Sequence, residues 1–326
     1  MAVTATNQRV ARATALLAAV QSAKGTIATN FTAAGAGRLW TSSARVPVGR
    51  PYLDFDGDMQ TEVGDTSSRI RLPEEPVGDF TAYATDASVQ LILKNSYGTY
   101  SGGTFSLVSQ IASTQWLTLG WVEQTASGAT EQFVRMRDAW IHLVTFRRVG
   151  PDGVLTMDCE FAGRVITPQA LNAGGITLPT SPMMPTDTNY FTVRDTAFRR
   201  DPASANVAIR VSELSIKLDQ GLVFEWDDLS QLFSVIKRGK LRPEVTFRGC
   251  VADESWVMLT NARAGTKQRY RVTSTTTNAA KTLTFDFYEM AWEFDAIGHN
   301  GKGEMEFNAR ATARKTGLNF LTITLA

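Results

Sequence analysis

Apolar and polar positions alternate along much of this chain with a period of two, the mark of strands half-buried in a sheet. The plainest case is Leu155, Met157, Cys159 and Phe161, set between Thr156, Asp158 and Glu160. Ahead of it, "AWIHLVTFRRV" is rich in β-branched and aromatic residues, and "GPDG" supplies turn chemistry, so residues 139–165 read as a long hairpin. A second hairpin leaves "LTFDFYEMAWEF" and returns through Met305, Phe307, Ala309, Ala311 and Ala313. The stretches "QWLTLGWVE", "VSELSIKLDQGLVFEW" and "QRYRVTST" read as further strands. The period changes after "GDFTAYAT", which alternates. In "DASVQLILKN" the apolar Val89, Leu91, Ile92 and Leu93 form a helical stripe, with Asp86 as the expected N-cap. At the N-terminus, "RVARATALLAAVQSAKG" reads as a short amphipathic helix. Thr6 or Asn7 caps it, Val10, Leu17 and Val20 share a face, and Gly25 stops it. Its apolar run is short and Ala-rich for a secretory leader. "SYGTYSGGTFS" reads as a loop, and regular patterning fades over residues 167–206, which hold five prolines and a Gly pair.

The pattern is also repeated. Shifted by 167 residues, "PVGDFTAYATDASVQLIL" lies over "PEVTFRGCVADESWVML" without a gap. Pro76 meets Pro243, Phe80 meets Phe247, Asp86 meets Asp253 and Ser88 meets Ser255. Asp253 is thereby the expected cap of a second short helix. Shifted by 148 residues, "VTFRRVGPDG" lies over "WEFDAIGHNG", and Gly150, Gly153 and Met157 meet Gly298, Gly301 and Met305. Each half runs strand, short helix, loop, strand, long hairpin, the mark of a duplicated unit. The expected organisation is an N-terminal helix and arm over 1–44, a first β domain over 45–166, a Pro-rich linker over 167–206 and a second β domain over 207–326.

Composition narrows the function. A chain of 326 residues with 43% hydrophobic and 10% aromatic content can bury a large core. The formal net charge of +1 leaves no broad basic excess to grip nucleic acid, though a neutral total can hold a locally charged surface, and no apolar run approaches a membrane span. Cys159 and Cys250 form no CxxC and lie in strand-like segments, so inert thiols in a reducing compartment are expected. His142 and His299 have no Ser, Cys or carboxylate at triad spacing. Asp54, Asp56, Asp58 and Glu62 alternate as cation ligands can, but Gly57 is one place too early for an EF-hand loop. Glu74 and Glu75 are adjacent in an extended chain and point to opposite faces. The glycines at 35–37 and 101–104 lack the context of a phosphate-binding loop. "IKRGKLR", with Lys237, Arg238, Lys240 and Arg242, reads as a solvated loop. The seven Trp residues belong to core or subunit interface more often than to a sugar platform. No catalytic centre, cofactor site or metal site is expected, and the chain reads as a protein that builds something.

The order of parts resembles the tail tube (major tail) proteins of long-tailed bacteriophages. An N-terminal arm leads to "VGDFTAYATDASVQLILKNSYGTYSGG", then to "WLTLGWVEQ" and to "FVRMRDAWIHLVTFRRVGPDGVLTMDCEFAGR". A Pro-rich bridge follows, then "VSELSIKLDQGLVFEW" and a closing "GEMEFNARA". The resemblance spans nearly the whole chain and rests on strand and loop patterns. It implies a mainly β fold of two tandem tail-tube-type β-sandwich or half-barrel domains, each with a short helix. It implies homo-oligomeric rings, hexamers or trimers of two-domain chains, whose inner sheets join around a channel. Rings stack through loops and arms into the tube that delivers the genome. The implied partners are the chain itself, a tape measure protein, a tail terminator and passing DNA bound without sequence specificity. No membrane is involved: the place is the virion tail, after synthesis in the host cytoplasm. A neutral or acidic channel lining is expected, with Glu304 and Glu306 as candidates and Arg310 and Arg314 counting against a purely acidic face. Other readings are a tail hub, baseplate or decoration protein, a carbohydrate-binding β-sandwich, or a hydrolase using Asp54 to Glu62.

Overall fold

The structure, a computed structural model, describes residues 14–32, 37–39, 41–45, 52–54, 69–71, 77–107, 115–124, 130–149, 153–163, 165–169, 175–179, 189–201, 206–226, 233–238, 240–250, 253–294, 297–299, 305–313 and 320–326. The first half contributes β1 (Thr14–Val20), β2 (Gly37–Leu39), β3 (Thr41–Arg45), β4 (Tyr52–Asp54), β5 (Arg69–Arg71), β6 (Val77–Tyr83), α1 (Asp86–Ser96), β7 (Gly98–Ser101), β8 (Thr104–Leu107), β9 (Leu117–Gln124), β10 (Thr130–Val149), β11 (Thr156–Ala162) and β12 (Val165–Gln169). The second contributes β13 (Phe191–Arg200), β14 (Val207–Ile209), β15 (Glu213–Asp219), β16 (Leu222–Trp226), β17 (Phe233–Arg238), β18 (Arg242–Cys250), α2 (Asp253–Arg263), β19 (Gln268–Thr276), β20 (Thr282–Phe294), β21 (Gly298–His299), β22 (Met305–Ala313) and β23 (Leu321–Leu325). The fold is mainly β, and among the described residues nineteen strands belong to one large antiparallel sheet. Bridges at Thr85–Tyr190 and Val154–Thr192 tie the start of β13 to the ends of β6 and β11.

The strand pairings repeat. In the first half β3 pairs β6, β6 pairs β11, and β11 pairs the C-terminal part of β10. In the second, β15 pairs β18, β18 pairs β22, and β22 pairs the C-terminal part of β20. The N-terminal parts of β10 and β20 bend into a second layer. There the orders are β2-β1-β9-β10-β12 and β14-β13-β19-β20-β23. The helices α1 and α2 start 167 residues apart and are both eleven residues long, as the sequence repeat predicts. The hairpin equivalence needs a correction. Cys159 lies opposite both Val144 and Phe80, and Ala309 lies opposite both Phe294 and Phe247, so Val144 corresponds to Phe294 at a shift of 150. The expected shift of 148 is wrong by two, and two is the period of a strand. Such a slip leaves every apolar residue on the same face, so pattern alone cannot detect it.

The two layers enclose one apolar core that draws on both halves. Aromatic contacts cross between layers. Trp121 of β9 meets Phe161 of β11 at 5.8 Å, Phe198 of β13 meets Phe247 of β18 at 5.1 Å, and Phe146 of β10 meets Phe285 of β20 at 4.9 Å. Such pairs contribute about 0.5–1.5 kcal/mol each beyond the area they bury.

Several local expectations are overturned, among them that of a loop at "IKRGKLR": Lys237 and Arg238 end β17, and Arg242 opens β18. Residues 14–20 form strand β1, not a helix. Leu16 and Ala18 enter the main core, while Leu17 and Ala19 pack with Phe31, Val122 and Phe133 on the other face. A strand buried on both faces reads as a continuous apolar run, which in an Ala-rich segment imitates a helix. The supposed loop after α1 is the β7–β8 hairpin, turned by Gly102 and Gly103 with φ of +56° and +82°. The supposed linker holds β13, ten residues long with Phe191, Val193 and Phe198 buried.

Candidate assembly surface

One wall of the fold is a run of eight strands in the order β3-β6-β11-β10-β15-β18-β22-β20. Period-two patterning gives this wall two unlike faces. One face presents Phe80, Met157, Cys159, Val144, Phe146, Ile216, Val245, Phe247 and Ala309 to the core. The other is polar, and its charges are matched across strands. On β15 and β18, Glu213 lies opposite Arg248, Lys217 opposite Glu244, and Asp219 opposite Arg242. Opposite charges placed this way stabilise a sheet by a few tenths of a kcal/mol or more.

Arginine side chains on this face are held by carboxylates. Arg147 meets Asp158 at 2.5 Å, Arg310 meets Glu244 at 2.6 Å, and Arg248 bonds Glu306 while lying 3.8 Å from Glu213. Thr81 donates to Asp158 at 2.8 Å. A depression of about 470 Å³ lies over β10, β15, β18 and β22, with Arg147, Arg248 and Arg310 in its lining. Each of these three cations is already countered, whereas Arg148, also in the lining, donates to the Val211 carbonyl at 3.2 Å.

The wall is two four-strand units in series, β3-β6-β11-β10 and β15-β18-β22-β20. They are joined where β10 pairs β15 over seven residue pairs, from Leu143–Asp219 to Val149–Glu213. On β10, β9 and β15 share the side opposite β11 and β12. On β20, Met290 has β19 on one side and β22 on the other. Beyond Met290 the β19 side carries no strand among the described residues, although the equivalent place on β10 holds β15. The outer side of β3 is equally without a strand among the described residues, although its counterpart β15 is paired on both sides. The wall thus ends in two edges that are copies of the two strands already joined in its middle.

The predicted site residues fall as follows. Thr85, not Asp86, caps α1: its hydroxyl accepts from the Ser88 amide at 3.2 Å, and the Ser88 hydroxyl accepts from the Thr85 amide at 2.8 Å. Asp86 sits in the first turn, where its charge favours the helix dipole. The threonine hydroxyl, one place earlier, already occupies the capping geometry. Asp253 is the first residue of α2, and the residue before it lies outside the described residues. Glu306 is on β22 and accepts from Arg248 at 2.9 Å; Glu304 lies outside the described residues. Asp54 is placed in β4, whereas Asp56, Asp58, Glu62, Glu74 and Glu75 lie outside them. Among the described residues no group of His, Cys, Asp and Glu is arranged to hold a metal ion. Burial pushes the Cys159 thiol well above its ordinary value, so it is a poor nucleophile. Burial lowers His142 despite Glu160 and Asp219 nearby. No described helix is long and apolar enough to cross a membrane. The chain matches no known family model and no curated protein sequence.

Proposed function

We propose that this chain is a structural, non-enzymatic subunit that assembles edge to edge into rings and stacks as the tail tube of a long-tailed phage. One observation carries the reading. A wall built as two four-strand units of the same strand order in series, ending among the described residues in unpaired copies of its own internal joint, is suited to continue from one chain to the next. In this reading the two halves are tandem tube-type units, and three chains supply the six units of one ring. The polar face of the wall lines the channel. Its carboxylate-countered arginines favour the passage of DNA over its capture, because free basic groups would grip phosphates. The site of action is the virion tail, and tape measure and terminator proteins are the partners at the tube's interior and end.

Negative-stain microscopy of the purified full-length chain tests this. The expected result is rings with threefold symmetry and six lobes, together with stacks or tubes. Rings that never stack point to a hub or other single-ring tail component, and monomers under every condition refute the proposal.

A further inference from the structure

We infer that a second copy of this chain lays its β3 along the open β20–β21 edge, and that Trp256, Phe294 and Ile297 are buried by that contact. The inference rests on the ring-forming part of the proposed function and does not need the rings to stack. It comes from comparing each position at the internal joint with its counterpart at the open end.

At the internal joint the apolar side chains are fully covered: Val144, Phe146 and Leu214 are all buried. Helix α1 packs on β10 and reaches the second half. The Ser96 carbonyl accepts from Gln220, and the Tyr97 hydroxyl donates to the Leu321 carbonyl at 3.1 Å. Its Val89 is wholly buried. At the open end the counterparts are uncovered. Phe294, which matches Val144, is only partly buried. Past Phe294 the register moves by one residue: Gly298 lies opposite Glu306, as Arg147 lies opposite Thr156, so Ile297 matches Phe146. Ile297 is also only partly buried. Trp256 of α2, which matches Val89 through the 167-residue repeat, is 48% exposed, and Val257 beside it is exposed too. Ala44 of β3, which matches Leu214 because they lie opposite Phe80 and Phe247, is exposed.

The four mismatches lie on β20–β21, on the helix α2 that packs against β20, and on β3 at the other end of the wall, and all have the same sense. Each open-end residue has the apolar character of a seam but lacks the neighbour that its counterpart has. The missing neighbours are present in the chain itself, at its opposite end, where they cannot fold back. A second copy supplies them with the geometry of the β10–β15 joint. The contact is head-to-tail, joining unlike surfaces, so it propagates until a ring closes. Transferring the internal register places Arg45 of the second copy opposite Gly298, and Ala44 of the second copy opposite His299.

The test is the full-length double variant Ala44→Cys with His299→Cys, oxidised and run without reductant, beside each single variant. The inferred seam predicts a ladder of covalent oligomers from the double variant alone. Trp256→Asp is the second arm. It is expected to raise the concentration for half-assembly by roughly 30-fold or more, as losing a central aromatic anchor does, while the monomer keeps its melting temperature within a few degrees. Rings that form without the cross-link, or a Trp256→Asp variant that assembles like the parent, overturn the seam and leave the tube reading standing. If neither parent nor variant associates at all, both fall.

Discussion

Replacing Phe146 by Ala removes a ring that joins the two halves. Phe146 is 1% exposed, and its ring centroid lies 4.9 Å from that of Phe285 in the other half, at 64° between planes. Truncating a buried Phe costs about 3–5 kcal/mol through lost transfer energy and the cavity left behind. The site is hemmed by the β11 and β15 ladders on either side of β10, which resist collapse. About 4 kcal/mol is therefore expected. With an unfolding entropy of about 2.1 cal/mol/K per residue, this chain loses about 0.7 kcal/mol per degree, so the midpoint should fall by about 6 °C. The assay is thermal unfolding by circular dichroism and calorimetry, at concentrations low enough to keep the chain monomeric, since association shifts the midpoint by itself. A core shared by both halves further predicts one transition that moves as a unit. A loss below about 1 kcal/mol would refute the packing argument. Two transitions, one of them unmoved, would refute the shared core.

Two further outcomes follow from local geometry. Thr85→Ala should cost about 1 kcal/mol by removing the α1 cap, and Asp86→Asn only a few tenths through the dipole; chemical denaturation that ranks them the other way restores Asp86 as the cap. Asp286 accepts from Arg269 at 2.9 and 2.6 Å and from Arg271 at 3.2 and 2.5 Å. Burial alone would raise its carboxyl, but the two guanidinium partners outweigh burial and hold it below the ordinary 3.8. Asp286→Ala should lose roughly 2–3 kcal/mol at neutral pH, less than a fully buried pair because both arginines keep contact with water. The parent's advantage is complete above the ordinary carboxylate value and is lost as pH falls through the depressed one, so parent and variant stability curves should converge there. Curves that stay parallel down to strongly acidic pH would exclude the ion cluster as the cause.

Much of the secondary structure was legible because one face of most strands is wet. Leu155, Met157, Cys159 and Phe161 against Thr156, Asp158 and Glu160 is such a case, and it became β11. The repeat was legible around α1 and α2 because a helix with fixed length and flanks leaves little freedom of register. What the residues did not show was whatever depends on neighbours distant in sequence. Leu16 to Ala19 are buried on both faces, so their pattern carried no alternation, and partners as remote as Trp121 and Phe31 made them a strand. β13 was hidden among prolines and polar residues, because its pairing with β19 lies some eighty residues away. The hairpin shift of 148 against 150 was undecidable from pattern, and only Phe80 and Phe247 across their ladders settled it.

The candidate assembly surface divides the same way. Its polar face follows from alternation, and Glu306 and Arg310 on it were visible in the chain. Its edges were not: an edge is a strand with a missing partner, and a partner is a property of tertiary structure. Trp256 looked like any other tryptophan until its counterpart Val89 proved buried and it did not. The sequence by itself determined which residues prefer a wet or a dry face, because that preference belongs to each side chain. Only the tertiary structure decided which strands lie side by side, because a backbone ladder can form between any two extended segments. The choice rests on how the whole core packs.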